Sequence, residues 1–182
     1  GKAVVYEIKT ELDNLERLTT QLEDYYKAFD HVAVVTYEEN LGALQRLLDS
    51  INKPIGIYLL RKNGCLSTVR QPERYTNDLD GEIIFKLLRK SEYEKILVEK
   101  YGTLPNVTQF EQYSACRELF LQMPLDEAYL MVLKALKKRM KIEKEEFVKI
   151  PYELKFLAYF MDLTIKDYKN LEMFLECKYG GV

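Results

Sequence analysis

Histidine and cysteine are scarce in this chain of 182 residues, which contains one histidine, three cysteines and no tryptophan. His31 alone cannot build a multi-histidine metal centre or a catalytic triad, and its place before an apolar run suits a polar residue at a strand end. Cys65, Cys116 and Cys177 are odd in number and far apart, which argues against a zinc site or a disulfide framework. No apolar run is long enough to cross a bilayer. We therefore expect a cytoplasmic protein with reduced thiols and no membrane association.

An excess of charge of one sign is also absent, because 27 basic and 29 acidic residues give a net charge of −2. Proteins dedicated to duplex DNA usually have a basic excess, since phosphate contacts supply most of their nonspecific affinity. The balance argues against a strong stand-alone DNA binder but allows a local binding groove. The densest basic run comprises Lys134, Lys137, Lys138, Arg139, Lys141 and Lys144. Acidic residues follow directly, so this run is predicted to be the solvated face of a helix.

The hydrophobic pattern changes once along the chain. Residues 1–70 alternate between apolar runs and helical periodicity, whereas residues 82–182 show helical periodicity throughout. The polar segment 71–81, which contains proline and glycine, has the composition of a linker. The predicted strands are 3–10, 31–37, 54–61 and 65–70. The predicted helices between them are 14–29, which Asp13 or Asn14 can cap, and 40–51. Strands 3–10 and 31–37 should pair in parallel across the first helix, and Asn63-Gly64 should turn a hairpin.

The first predicted strand contains an acid and a lysine two residues apart, Glu7 and Lys9. Side chains in a strand alternate between faces, so these two point to the same side. Charged groups among Val, Ile and Tyr cost desolvation free energy unless they are paired or functional. The pair suits a hydrolytic metal site, with Glu7 as an oxygen ligand and Lys9 assisting the attacking water. The alternative is the solvent-exposed face of an edge strand.

The helix that follows carries Gln21 and Tyr25, one turn apart and therefore neighbours on its surface. An amide and a phenol at this position could hydrogen-bond a phosphate or a base edge beside the strand. The alternative is structural, with Tyr25 in the apolar stripe of the helix and Gln21 at its margin. Gln109 and Tyr113 repeat the spacing without such a strand before them.

A strand with Glu-x-Lys, a helix with Gln-x-x-x-Tyr and then a buried strand resemble the PD-(D/E)XK nuclease-like superfamily, in particular its Gln-x-x-x-Tyr branch and a bacterial family of unknown function within it. The resemblance implies an α/β fold, namely a partial restriction-endonuclease-like mixed sheet with flanking helices, followed by an all-α C-terminal region. It also implies Mg²⁺- or Mn²⁺-dependent hydrolysis of DNA. Glu7 would be the metal ligand, Lys9 the catalytic lysine, and Gln21 and Tyr25 auxiliary site residues.

One departure from the superfamily pattern concerns its second carboxylate, an aspartate on the strand before Glu-x-Lys. Residues 1–6 contain no Asp or Glu, and Glu11 and Asp13 lie in a loop. Because a divalent ion needs several ligands, we expect weak metal binding and near-background cleavage from this chain. The sheet should also have an open edge, which predicts a homodimer or a segment that completes the sheet.

Three functions therefore remain open from the sequence. The first is a metal-dependent nuclease that lacks part of its amino-terminal core. The second is a degenerate nuclease fold that binds nucleic acid or protein. The third is a structural or regulatory protein that uses its helical half as an interface.

Overall fold

The computed structural model describes residues 3–10, 12–139, 144–161 and 163–176. The strands in these ranges are β1 (Val4–Ile8), β2 (His31–Thr36), β3 (Gly56–Leu60) and β4 (Leu66–Arg70). The helices are α1 (Leu18–Tyr26), α2 (Glu38–Asp49), α3 (Gly81–Lys86), α4 (Lys90–Tyr101), α5 (Gln112–Leu121), α6 (Leu125–Lys138), α7 (Lys144–Lys149), α8 (Tyr152–Phe160) and α9 (Ile165–Glu176). Glu11, Lys141 and Cys177 lie outside the described residues. None of the helices in the described ranges is long and apolar enough to span a membrane.

The four strands form one mixed sheet in the order β1-β2-β3-β4. β1 and β2 are parallel, with Glu7 opposite Val34, and β2 is parallel to β3. β3 and β4 are antiparallel and joined at the Asn63-Gly64 turn, where Gly64 has a φ of 78° that side chains with a Cβ rarely adopt. The predicted mixed α/β sheet and the parallel pairing of the first two strands are confirmed.

β2 lies inside the sheet between β1 and β3, and all six of its residues are buried. β1 lies at an edge, and its residues alternate in exposure because only one of its faces is covered. Helices α1 and α2 cover that face. Their buried leucines pack against the inward side chains of β2 and β3: Leu18, Leu22, Leu44, Leu48, Val32, Val34 and Ile57.

The first helix begins later than the sequence predicted. Asp13 or Asn14 was expected to cap a helix at 14–29, but α1 starts at Leu18 and Arg17 makes no side-chain cap. Asp13 accepts hydrogen bonds from the backbone N–H and the hydroxyl of Thr10 instead, both at 2.7 Å. The carboxylate is therefore used to close the turn after β1, and the predicted cap is wrong.

The polar segment 71–81 is hydrogen-bonded to the α/β part of the chain. Backbone bonds run from Glu73 N to Pro54 O, from Tyr75 N to Asp30 O and from Asp80 N to Lys27 O. Asp80 then caps α3 through the N–H groups of the first helical turn. The chain forms two compact units, residues 1–136 and residues 137–182. The boundary between these units differs from the boundary at 71–81 that composition predicts.

The helical residues of the first unit have a core of their own around Phe85, Phe120 and Tyr129. Lys134, Lys137 and Lys138 of α6 are exposed, as predicted for a solvated helix face. In the second unit, α7, α8 and α9 meet around a small core of Ile150, Ala158 and Tyr168. Thr164 and Asp167 exchange the hydrogen bonds of a capping box at the start of α9.

Candidate nuclease-like site

The candidate site lies where β1 ends and α1 crosses the sheet. Beyond the last residue of β1, the backbone N–H of Lys9 donates to the carbonyl of Val35 at 2.9 Å, which extends the pairing with β2. The side chains of Glu7 and Lys9 therefore lie on the face that α1 covers. Since β1 and β2 run in parallel, the site occupies the carboxyl end of the sheet, where ligands commonly bind in α/β folds.

The four residues predicted from the sequence meet in one hydrogen-bonded cluster. Lys9 Nζ lies 3.0 Å from Glu7 Oε1 and donates to Gln21 Oε1 at 2.9 Å. The Tyr25 hydroxyl donates to the other Glu7 oxygen, Oε2, at 2.6 Å. Each partner comes from the strand or from the helix turn that the motif spacing indicated.

The helix places Gln21 and Tyr25 over the strand because their neighbours are anchored in the core. Leu18 and Leu22 of α1 are buried beneath the helix, so the adjoining face presents the amide and the phenol to β1. The Lys9 and Glu7 side chains are only 9% and 13% exposed. Charged groups buried to this degree require partners, and the cluster supplies them.

The cluster also sets the protonation state of its phenol. The hydrogen bond to Glu7, together with burial and the charge of that carboxylate, raises the pKa of Tyr25 to about 12. Tyr25 is therefore a neutral hydrogen-bond donor at physiological pH. The charges of Glu7 and Lys9 cancel, so the site is neutral. One N–H group of Lys9 and the amide nitrogen of Gln21 are available as further hydrogen-bond donors.

Few ligands for a divalent metal ion are present among the described residues of this site. Glu7 supplies the one carboxylate of the cluster, and both of its oxygens already accept hydrogen bonds. The Asp13 carboxylate is held by Thr10, and Glu11 is outside the described residues. Within the described ranges, no group of three or more His, Cys, Asp or Glu is arranged to hold a metal. Binding of Mg²⁺ or Mn²⁺ stays a prediction that requires further ligands.

The structure adds Thr36 to the residues near this end of the sheet. Thr36 is the last residue of β2, is 1% exposed, and has a buried hydroxyl with no hydrogen-bond partner in the described part of the chain. Because Glu7 pairs with Val34, strand alternation puts Thr36 on the same face, beside Lys9. Sequence reasoning missed this residue, because a threonine that ends a buried strand is common and its lack of a partner depends on the fold.

The second Gln-x-x-x-Tyr sequence, Gln109 to Tyr113, does not form such a cluster. Tyr113 lies in α5 and packs against Phe85 and Tyr93, whereas Gln109 precedes that helix. His31 is buried at the start of β2, with Nδ1 2.9 Å from Asp30 Oδ1. Tyr113 therefore packs at the margin of the helical core, and His31 is paired with its chain neighbour.

Comparison with known proteins gives one family match. The model of the family "Bacteriophage P4 protein cII" matches residues 1–166, which is most of the chain. No curated protein and no solved structure matches the chain significantly.

Proposed function

We propose that this chain, which belongs to the bacteriophage P4 protein cII family, is a nuclease-like protein that binds nucleic acid through its Glu7–Lys9–Gln21–Tyr25 cluster. The observation that carries the proposal is the convergence of these four side chains at the carboxyl end of the sheet. Their order, on a Glu-x-Lys strand and a Gln-x-x-x-Tyr helix, is that of the PD-(D/E)XK resemblance.

Recognition of a phosphodiester oxygen would use the donors that the cluster leaves available. Lys9 has three N–H groups, of which two are directed to Glu7 and Gln21. The Gln21 amide nitrogen has no partner among the described side chains, and the Thr36 hydroxyl lies deeper on the same face. Tyr25 holds Glu7 in place from the opposite side, so that Lys9 keeps its orientation.

Binding without efficient cleavage is the form of this function that the residues support. Metal-assisted hydrolysis of a phosphodiester needs ions held by several oxygen ligands, and the described residues contribute Glu7 alone at this site. The neutral charge of the Glu7–Lys9 pair also predicts modest affinity, because counterion release increases with the number of phosphates that are neutralised.

Binding and cleavage assays on variants test the proposal. Labelled single-stranded and duplex DNA should bind the wild-type protein measurably at low salt, and Lys9→Met and Gln21→Leu should each weaken binding roughly tenfold. Lys27→Met, in an exposed ion pair with Asp24, is the matched control and should bind like the wild type. Circular dichroism must show that each variant is folded.

Two results would decide against binding as the function. Equal DNA affinity in folded Gln21→Leu and in the wild type would remove the cluster from the interface. Cleavage that depends on Mg²⁺ or Mn²⁺ and is lost in Lys9→Met would instead identify a metal-dependent nuclease, the first function considered from the sequence.

A second function, self-association through the helical region, is favoured by the surface of residues 144–176. Large apolar side chains on these helices are exposed: Val148, Tyr152, Tyr159, Met161, Ile165, Met173, Phe174 and Leu175. Large exposed apolar side chains mark interaction sites where they form a patch. The edge strand β1 offers a second contact, because Tyr6 and Ile8 are 49% and 63% exposed.

Light scattering on two surface variants separates these contacts. Replacing Met161 and Ile165 with serine should convert a dimer to a monomer if the helical surface is the interface. Replacing Tyr6 and Ile8 with threonine should do so if β1 is the interface. A monomeric wild type at high concentration would contradict both.

We further propose a cytoplasmic location, which suits the exposed free thiol of Cys65.

A further inference from the structure

An open cavity of about 530 Å³ lies at the other end of the sheet from the Glu7 cluster. It is bordered by the end of α2, the segment before β3 and the last residue of β4. Its walls carry two cations, Lys53 and Arg70, together with the Asp49 carboxylate and the ring of Tyr75. We call this cavity the amino-end cleft.

Arg70 is held rigidly in the cleft but is only partly satisfied. Its Nε donates to the carbonyl of Ile55 at 2.7 Å, and its Nη1 lies 3.3 Å from Asp49 Oδ1. Its Nη2 is buried and has no hydrogen-bond partner in the described ranges. A buried guanidinium nitrogen without an acceptor is costly, so its presence indicates a site built for an acceptor.

Lys53 and Tyr75 form the adjoining wall, and the Tyr26 ring packs edge-on against that of Tyr75. Lys53 Nζ lies 5.2 Å from the ring centre of Tyr26 and 5.9 Å from that of Tyr75, and it pairs with Asp78. The Tyr26 side chain is fully buried, and its hydroxyl has no partner among the described residues. Burial raises the pKa of Tyr26, so this hydroxyl stays protonated as a donor.

We propose that the amino-end cleft binds a phosphate group through Arg70 and Lys53. A guanidinium fixed at its Nε presents a fork that matches two phosphate oxygens. The Arg70–Asp49 pair is exposed on the carboxylate side and therefore weak, so a phosphate can replace Asp49 at the guanidinium. The proposal does not depend on the Glu7 cluster, which shares none of these residues.

Titrations with three phosphate-bearing probes test the cleft and distinguish the sources of the group. The probes are inorganic phosphate, 5′-AMP and a single-stranded oligonucleotide without terminal phosphates, each followed by calorimetry and by amide NMR shifts. The wild-type protein should bind at least one of them, with shifts around Asn52, Lys53 and Arg70. Binding of phosphate or 5′-AMP assigns a small phosphorylated ligand, and binding of the oligonucleotide alone assigns a nucleic-acid backbone.

Matched variants make the test specific. Arg70→Gln and Lys53→Gln should each weaken binding at least tenfold. Arg61→Gln is the control, because Arg61 also bonds through its Nε, to Ser67, and pairs with an exposed carboxylate, Glu38, at 3.4 Å.

Several results would overturn the proposal. They are the absence of binding for all three probes, equal losses in the Arg70 and Arg61 variants, and shifts confined to residues outside the cleft. Shifts confined to Lys9 and Gln21 would place the ligand at the Glu7 cluster and leave the amino-end cleft unused.

Discussion

The polar groups at the two ends of the sheet differ in the hydrogen-bond and ion-pair partners that they have. At the carboxyl end, the charges of Glu7 and Lys9 are satisfied by each other and by Gln21 and Tyr25. At the amino end, the Nη2 of Arg70 is buried and has no hydrogen-bond partner among the described residues. The charged groups at the carboxyl end therefore stabilise one another, whereas at the amino end one guanidinium nitrogen is buried without such compensation in the described ranges. Changes at the carboxyl end, taken in order of decreasing expected effect, test how much these contacts contribute to stability.

Loss of the buried ammonium should have the largest effect. Lys9→Met leaves Glu7 largely buried without its cationic partner, which should lower the free energy of unfolding by about 3 kcal/mol. Urea denaturation measures this change. Lys27→Met, which breaks an exposed ion pair of similar length, should change stability little.

The double variant Glu7→Gln with Lys9→Met sharpens the same comparison. If the loss in Lys9→Met comes from an unpaired carboxylate, neutralising that carboxylate should restore part of the stability. Additive losses in the double variant would show that the two charges do not interact as the 3.0 Å separation indicates.

Removal of the phenol should have an intermediate effect. Tyr25→Phe deletes a hydrogen bond of 2.6 Å to a carboxylate, which should lower the free energy of unfolding by about 1.5 kcal/mol. Tyr101→Phe is the control, because its hydroxyl donates to an uncharged acceptor, the carbonyl of Leu119, at 3.2 Å. A smaller loss in Tyr25→Phe than in Tyr101→Phe would contradict the role assigned to the Glu7 charge.

Alkaline pH should open the cluster gradually. The pKa of Tyr25 is raised from 10.0 to about 12 in the folded protein. A raised pKa adds stability that is present in full below pH 10 and is lost as the pH rises from 10 to 12. The melting temperature of the wild type should therefore fall more between pH 9 and pH 11.5 than that of Tyr25→Phe. Parallel pH profiles of the two proteins would show that Tyr25 is not linked to folding.

The smallest effect is expected at Thr36. Thr36→Val keeps the shape of the side chain and removes a buried hydroxyl that has no partner in the described ranges, so stability should be unchanged or slightly higher. Thr108→Val removes a hydroxyl bonded to Glu111 at 2.7 Å and should be the more destabilising change. The reverse order in urea denaturation would reveal a structural partner for Thr36.

The sequence could predict the carboxyl-end cluster because its geometry follows from local periods. Side chains two residues apart on a strand lie on the same face, and side chains four residues apart on a helix are neighbours. A parallel crossover then brings the helix over the strand, so Glu7, Lys9, Gln21 and Tyr25 meet without information from distant residues.

Features that depend on distant partners were not predictable in this way. The sequence predicts Arg70 at the end of a strand, but its contacts with the Ile55 carbonyl and the Asp49 carboxylate depend on the fold. Asp13 is of a residue type that often caps helices, but its carboxylate accepts hydrogen bonds from Thr10 instead. The composition of residues 71–81 is that of a linker, although a polar segment can equally bond its backbone to neighbouring elements.

The most direct measurement for the proposed function is the NMR response of the Lys9 and Gln21 side chains to DNA. A short single-stranded oligonucleotide would be titrated into protein labelled at lysine and glutamine side-chain nitrogens, at low salt. We predict saturable shifts of the Lys9 ammonium and Gln21 amide signals, with weaker binding in Gln21→Leu and no change in Lys27→Met. Binding that shifts other signals and leaves those of Lys9 and Gln21 in place would contradict the account.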